Sequence, residues 1–335
     1  MNRAPPSLSI VAPCFNEQEV LPEFLRRATA VCRELGYRYE IVLVDDGSRD
    51  RSWSIIATAA AADPRILGVR LRRNHGHQLA LSAGVASSSG ALVLLIDADL
   101  QDPPELLPAM IALMQAEGAD VVYGQRRQRA GETLFKRASA AAFYRLIGWL
   151  ADVEIPRDTG DFRLITRPVA DLLGQMPEQH RFIRGMVAWI GGHQVPLIYD
   201  RMARQAGTTK YPLRRMLRFA ADAITGYSRR PLQLATGLGV LAAVGSLLLG
   251  VYSLAGWAWG VNVPGWTSLM AAIGLLSALQ FLLLGVLGEY VGRLYEESRG
   301  RPLFLVAGRA GAGLAPPREV GGLARHPVEE GFIPR

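Results

Sequence analysis

Three carboxylates fall within six residues at Asp97-Ala98-Asp99-Leu100-Gln101-Asp102, directly after the apolar run Ala91–Ile96. Carboxylates held that close repel one another unless a cation lies between them. Mg2+ in particular takes one or two protein carboxylates and fills its shell with waters and substrate phosphates. Asp97 and Asp99 are therefore candidate ligands of a divalent ion that also holds a diphosphate, with Gln101 beside them. Asp102 reads differently: with Pro103, Pro104 and Glu105 behind it, it is expected to cap a helix. Two further candidates follow other apolar runs. Asp46 can accept from a base N–H, and Arg126 offers phosphate a planar fork.

These side chains need a frame, and the chain alternates strand-like and helix-like segments. Strands are expected at Leu8–Ala12, Tyr39–Val44, Ile66–Leu71, Leu92–Ile96 and Asp120–Tyr123. Helices are expected at Val20–Leu35, Ser52–Ala62, His77–Ala86 and Pro104–Glu117, two of them closed by Gly36 and Gly118. Such alternation predicts an α/β fold with a mostly parallel sheet, which binds ligands outside the carboxyl ends of its strands. The acidic groups lie at those ends. Beyond Gly124 the alternation weakens: Thr133–Leu150 reads as a helix and Asp158–Asp161 as a loop.

The 335 residues carry a net charge of +7, and the excess is uneven. Arg201, Arg204, Lys210, Arg214, Arg215, Arg218, Arg229 and Arg230 face only Asp222 across the same stretch. From Leu232 to Gly288 there is then no charged residue and no histidine. This run breaks at Val261–Gly265, leaving spans at about 232–256 and 268–291, each long enough to cross a bilayer. Trp257, Trp259 and Trp266 mark the turn between them as interfacial, and the outer arginines place both flanks on the cytoplasmic side. The basic block beside these spans therefore reads as a membrane contact, not a nucleic-acid one. Residues 213–230 are expected to form an amphipathic interfacial helix. The N-terminus lacks the apolar segment of a signal peptide. Two cysteines, Cys14 and Cys32, make no disulfide framework, as suits a reducing compartment. From about residue 308 the Gly-, Ala- and Pro-rich tail shows no periodicity and is expected to be unstructured.

Four segments together, Val11–Glu17, Val44–Ser48, Asn74–Gln78 and Asp97–Asp102, resemble successive motifs of family-2 glycosyltransferases of GT-A fold. Asp158–Leu164, His180–Gly185 and Arg204 through Gly207 to Lys210-Tyr211-Pro212 are similar to the polyprenyl-phosphate branch. That branch holds the dolichol-phosphate mannose synthases and the bactoprenol glucosyltransferases with two C-terminal spans. The resemblance covers residues 7–306 and implies a GT-A domain over 1–212, two membrane helices within 231–293 and a cytoplasmic tail over 294–335. It implies that Pro13, Phe15, Glu17, Val44 and Asp46 line a base and ribose pocket. Asp97, Ala98, Asp99 and Gln101 would form the diphosphate–metal site, with Mg2+ or Mn2+ as cofactor. Arg126, Arg204 and Lys210 would hold phosphates, Arg181, Arg184 and Lys210 the acceptor's, and Asp158 or Asp161 would lie near the reacting centre. The implied reaction moves a sugar, with inversion, from a UDP-hexose to undecaprenyl phosphate at the bacterial cell membrane, for modification of envelope glycans. The implied partners are the nucleotide sugar, the lipid phosphate and the membrane, with a homo-oligomer allowed and no nucleic acid. Two rivals share the pattern. A processive polysaccharide synthase would carry Gln-x-x-Arg-Trp, which this chain lacks. A non-catalytic membrane scaffold would have no use for Asp99, Gln101, Asp161 and Lys210.

Overall fold

The computed structural model describes residues 7–127, 159–200, 230–259 and 265–311. They fall into two compact units. The first contains the described residues up to 200 together with 302–311, and the second contains 230–259 and 265–301.

The first unit is built on an eight-stranded sheet in the order β7-β5-β6-β4-β1-β2-β3-β8. Its centre is β1 (Leu8–Cys14), β2 (Tyr39–Asp45), β3 (Ile66–Leu71) and β4 (Leu92–Leu95), all parallel. β1 and β2 are buried along their whole length, which is why they read as continuous apolar runs. Between them in sequence run α1 (Leu21–Leu35), α2 (Ser52–Ala62) and α3 (His77–Ser87), and α4 (Leu107–Glu117) follows β4. α1 buries Leu21, Phe24, Leu25, Ala28, Val31 and Cys32 at helical spacing, and Gly36 closes it in the left-handed conformation.

Three features depart from the sequence reading. First, Thr159–Asp161 is not a loop. It opens strand β6 (Thr159–Thr166), buried almost throughout and antiparallel to both β4 and β5 (Val121–Arg126). Asp161 and Arg163 interrupt the apolar pattern of this strand, and both are buried. Second, α5 (Arg167–Gln175), α6 (Ile183–Ile190) and β7 (Gln194–Tyr199) continue the α/β alternation past Gly124, with β7 parallel to β5. Third, the tail does not lose structure at 308. Strand β8 (Val306–Ala310) pairs antiparallel with β3, and the backbone N–H of Arg72 donates to Leu305 at 2.8 Å. β8 alternates half-buried with exposed residues, so ladder hydrogen bonds form it rather than an apolar run.

The second unit contains α7 (Arg230–Ala258) and α8 (Trp266–Ser298). Leu232–Tyr252 and Ala272–Ser298 are long and apolar enough to cross a membrane. Both present large apolar side chains outward, among them Leu247, Leu248, Leu275 and Phe281. Charge returns near the end of α8, where Arg293 pairs with Glu289 at 3.1 Å. The expected interfacial helix over 213–230 lies outside the described residues, apart from Arg230, where α7 begins.

Candidate active site

The carboxyl ends of β1, β2 and β4 bring the first group of expected residues together. Pro13 lies opposite Val44, and Cys14 opposite Asp45. Phe15 stands exposed just beyond β1. The loops after β1 and β2 are laced to each other. The backbone N–H of Asn16 donates to Ser48 Oγ, that of Glu17 to Ser52 Oγ, and that of Arg49 to Asn16 Oδ1. Gly47 adopts φ +70°, and a Cβ there would lie 2.6 Å from the backbone carbon of Arg73, so only glycine lets the loop after β2 meet the segment after β3. Asp46 is buried and ties down the same neighbour. Its Oδ1 accepts from the N–H of His75 at 2.7 Å and its Oδ2 from that of Gly76 at 2.9 Å. Burial pushes its carboxyl up, against the pull of these two bonds. Cys14 is the last residue of β1, and its thiol donates to the Val44 carbonyl. Burial and the carboxylates around it push that thiol up, which keeps it protonated and inert.

Asp97, Ala98, Asp99 and Gln101 form the turn after β4. The N–H of Gln101 donates to Asp99 Oδ1 at 3.1 Å. Leu100 has φ +60°, uncommon for a bulky residue, and its side chain is buried, so core packing holds the turn in a strained form. Asp102 does not cap the following helical turn. That turn starts at Pro104 with Pro103 in the cap position, while Asp102 is buried and accepts a short hydrogen bond from the Tyr199 hydroxyl. Tyr199 ends β7 and stacks edge-on against Phe162 at 5.7 Å. Burial, with Asp102 beside it, raises the phenol's pKa and keeps it a donor. Sequence reasoning missed this residue, whose only signal is a hydroxyl-bearing aromatic at the end of a strand.

The deeper part of the site centres on Asp161. Its Oδ2 lies 3.1 Å from His77 Nε2 and accepts from Gln78 Nε2 at 2.7 Å. Its Oδ1 lies 3.2 Å from Arg184 Nε. His77 Nε2 also lies 3.3 Å from Asp97 Oδ1, so one imidazole spans two of the expected site carboxylates. Burial would raise the Asp161 carboxyl, but the hydrogen bond with His77 and the charges of Arg184 and Arg163 outweigh it and hold it well below the usual range. Burial would lower His77, but Asp161 and Asp97 reverse this and push it up to about 9. Asp97 is itself raised to about 6, by burial first and then by Asp161, Asp99 and Asp102, against the pull of His77. Arg163 is fully enclosed and lowered to about 10, and it donates to the Gly160 carbonyl at 3.0 Å.

Among the described residues, no group of three or more His, Cys, Asp or Glu side chains is arranged to hold an ion by itself. Asp97 and Asp99 nonetheless fit a Mg2+ or Mn2+ ion that arrives with a diphosphate, since such ions need only one or two protein carboxylates. Burial raises Asp97 most, and a cation at this turn would relieve the repulsion that Asp161, Asp99 and Asp102 add to it. Arg126 ends β5 opposite Tyr199, and its guanidinium lies where a side chain at Gly160 would stand. Arg184, near the start of α6, faces Asp161 and donates to the Thr159 carbonyl at 2.8 Å. Arg181 is buried, and its guanidinium donates to the Leu173 carbonyl of α5. Asp158, Arg204 and Lys210 lie outside the described residues.

A mostly parallel sheet with an Asp-x-Asp turn at its central edge and carboxylates gathered at its strand ends is the frame of a GT-A glycosyltransferase. The model of Glycosyl transferase family 2 matches residues 9–173. The glycosyltransferase YkcC of Bacillus subtilis (strain 168) is 43% identical over 89% of this chain and 92% of its own. The chain belongs to glycosyltransferase family 2. It is also similar to the bactoprenol glucosyl transferase of Shigella phage SfV, at 37% identity over 89% of this chain and 97% of that one. Among solved structures, the mannosyl-3-phosphoglycerate synthase of Rubrobacter xylanophilus aligns at 20% identity and a TM-score of 0.47, over 68% of this chain and 74% of that one.

Proposed function

We propose that this protein transfers a hexose, glucose in the first instance, from a UDP-sugar to undecaprenyl phosphate, with inversion at the anomeric carbon. One observation carries this reading: the match to the bactoprenol glucosyl transferases runs over 89% of the chain, far beyond the family-2 region that ends at residue 173. An acceptor phosphate on a long apolar chain has to be met at a membrane surface, and two helices of membrane-spanning length in the same polypeptide suit that task. On this reading the protein resides in the bacterial cell membrane, with the catalytic unit and both termini in the cytoplasm.

An oxygen of the acceptor phosphate attacks C1 of the hexose, and the bond from C1 to the β-phosphate of UDP breaks. The attacking oxygen is already ionised, so no general base is needed. Asp161 suits a different task, because His77, Gln78 and Arg184 already engage its oxygens and its carboxyl is held anionic. It fixes those groups at the reacting centre. Arg184 and Arg126, with Arg204 and Lys210 from the basic stretch of sequence, offset the charge of two phosphate groups brought together. Asp97 and Asp99 would hold a Mg2+ or Mn2+ ion, which would supply Lewis-acid stabilisation for the departing diphosphate. The loops after β1 and β2, with Pro13, Phe15 and Val44, form the floor for uracil and ribose.

The test uses purified protein in liposomes with undecaprenyl phosphate and a panel of radiolabelled nucleotide sugars. UDP-glucose is expected to yield a butanol-extractable lipid whose label is released by mild acid. Label that remains water-soluble with every donor, or that enters a polymer, contradicts the reading.

A further inference from the structure

Gln78 uses both ends of its amide. Nε2 donates to Asp161 Oδ2 at 2.7 Å, and Oε1 accepts the backbone N–H of Ile183 at 2.7 Å. Ile183 is the first residue of α6. The first N–H groups of a helix have no partner within it, and Phe182, in the cap position, provides no side-chain bond. Gln78 supplies the missing acceptor from 105 residues away. The next residue, Arg184, lies 3.2 Å from the other oxygen of Asp161. The ring therefore closes: Asp161 to Gln78, Gln78 to Ile183, along the chain to Arg184, and back to Asp161.

An amide has one donor end and one acceptor end, so this side chain can satisfy both neighbours in only one orientation. Turning it over would set an oxygen against the carboxylate and an N–H against an N–H. We propose that Gln78 is a positioning residue for sugar transfer: it fixes the rotation of the Asp161 carboxylate and the start of α6 together, and so holds Arg184 over the reacting centre. The role rests on the glycosyl-transfer reading above. Gln78 itself touches no substrate. It acts through Asp161 and Arg184, so its loss affects the reacting centre more than the nucleotide floor between β1 and β2.

Two variants separate the halves of the ring. Gln78→Glu keeps the length and the acceptor for Ile183 but turns a like charge toward Asp161. Gln78→Met keeps the bulk and removes both bonds. With wild type as reference, both are expected to lower kcat about tenfold or more while the KM for UDP-glucose stays within about threefold. On an Asp161→Asn background the Gln78→Glu change is expected to cost less than about threefold, because the charge it opposes is gone. Amide hydrogen exchange at Ile183 reads the anchor without reference to activity: protection is retained in Gln78→Glu and lost in Gln78→Met. Undiminished kcat in both variants, or equal exchange at Ile183 in all three proteins, would overturn the proposal. So would a rise in donor KM that matches the fall in kcat. A wild type that transfers no sugar to the lipid phosphate overturns the functional reading itself, and the positioning role falls with it. An active wild type with undisturbed variants overturns the Gln78 role alone.

Discussion

Asp161 and Asp99 are both carboxylates of the candidate site, and their surroundings differ. Asp161 is buried among His77, Gln78, Arg184 and Arg163, and its charge is balanced within the protein. Removing it leaves the buried Arg163 and the half-buried Arg184 without the charge that offsets them. Asp161→Ala is therefore expected to lower stability by about 3–5 kcal/mol as well as activity, because breaking one side of a buried pair costs more than the pair contributes. Asp161→Asn keeps the shape and an acceptor, so its loss of stability should be clearly smaller. Chemical denaturation of the two variants makes the comparison, and equal losses would contradict the charge argument. Asp99 lies at the strained turn, where Gln101 donates to one of its oxygens. A metal and a diphosphate would complete its surroundings. Asp99→Asn is expected to reduce transfer by about a thousandfold with the fold intact, and excess EDTA to do the same to wild type. Full turnover in EDTA would remove the metal from the mechanism.

At the scale of elements, the Asp-x-Asp turn is held in place by more than the end of β4. β7 reaches it through the hydroxyl of Tyr199 on Asp102, and β6 reaches it through Asp161 and His77. Tyr199→Phe removes the hydroxyl without changing the ring that packs on Phe162. The buried Asp102 loses that donor, and the expected cost is about 1–3 kcal/mol. Because the loss falls on the turn that carries Asp97 and Asp99, the KM for donor should rise along with it. Thermal unfolding and steady-state kinetics check both parts, and an unchanged KM would show that the turn is held without β7. The loop after β2 is constrained in another way: Gly47 lets it lie against the backbone of Arg73 and Asn74, and Asp46 then receives the next two N–H groups.

At the scale of the whole molecule, the chain leaves the catalytic sheet, forms two long apolar helices and comes back. β8 pairs with β3, so whatever α7 and α8 cross, residues 306–310 lie on the same side as residues 66–71. With the proposed orientation, an impermeant thiol reagent in intact cells is expected to reach neither a cysteine placed at Arg309 nor one placed at Arg65, while one at Trp259 is labelled. Labelling at Arg309 but not at Arg65 would break the pairing. The return strand also completes the sheet edge, where Ala310 and Gly308 pack near Gly68 and Trp53. Ending the chain after Arg301 is expected to cost on the order of 3 kcal/mol and to expose β3 to protease, through the lost ladder bonds and the uncovered apolar surface. An unchanged unfolding midpoint would make β8 dispensable. The sequence by itself determined the central parallel strands, the helices between them, the acidic turn at 97–102 and the two membrane-length segments. Each is a local property: a continuous apolar run, a helical period, covalent neighbours, a length matched to a bilayer. Tertiary structure decided that β6 is a strand, that β8 exists, that Tyr199 holds Asp102, and that His77 and Gln78 meet Asp161 across more than eighty residues. Asp161 and Arg163 break the apolar pattern that would have revealed β6, and the Asp161 charge is met by His77, Gln78 and Arg184 from two helices. Those partners are set by the order of strands in the sheet, which no local period records.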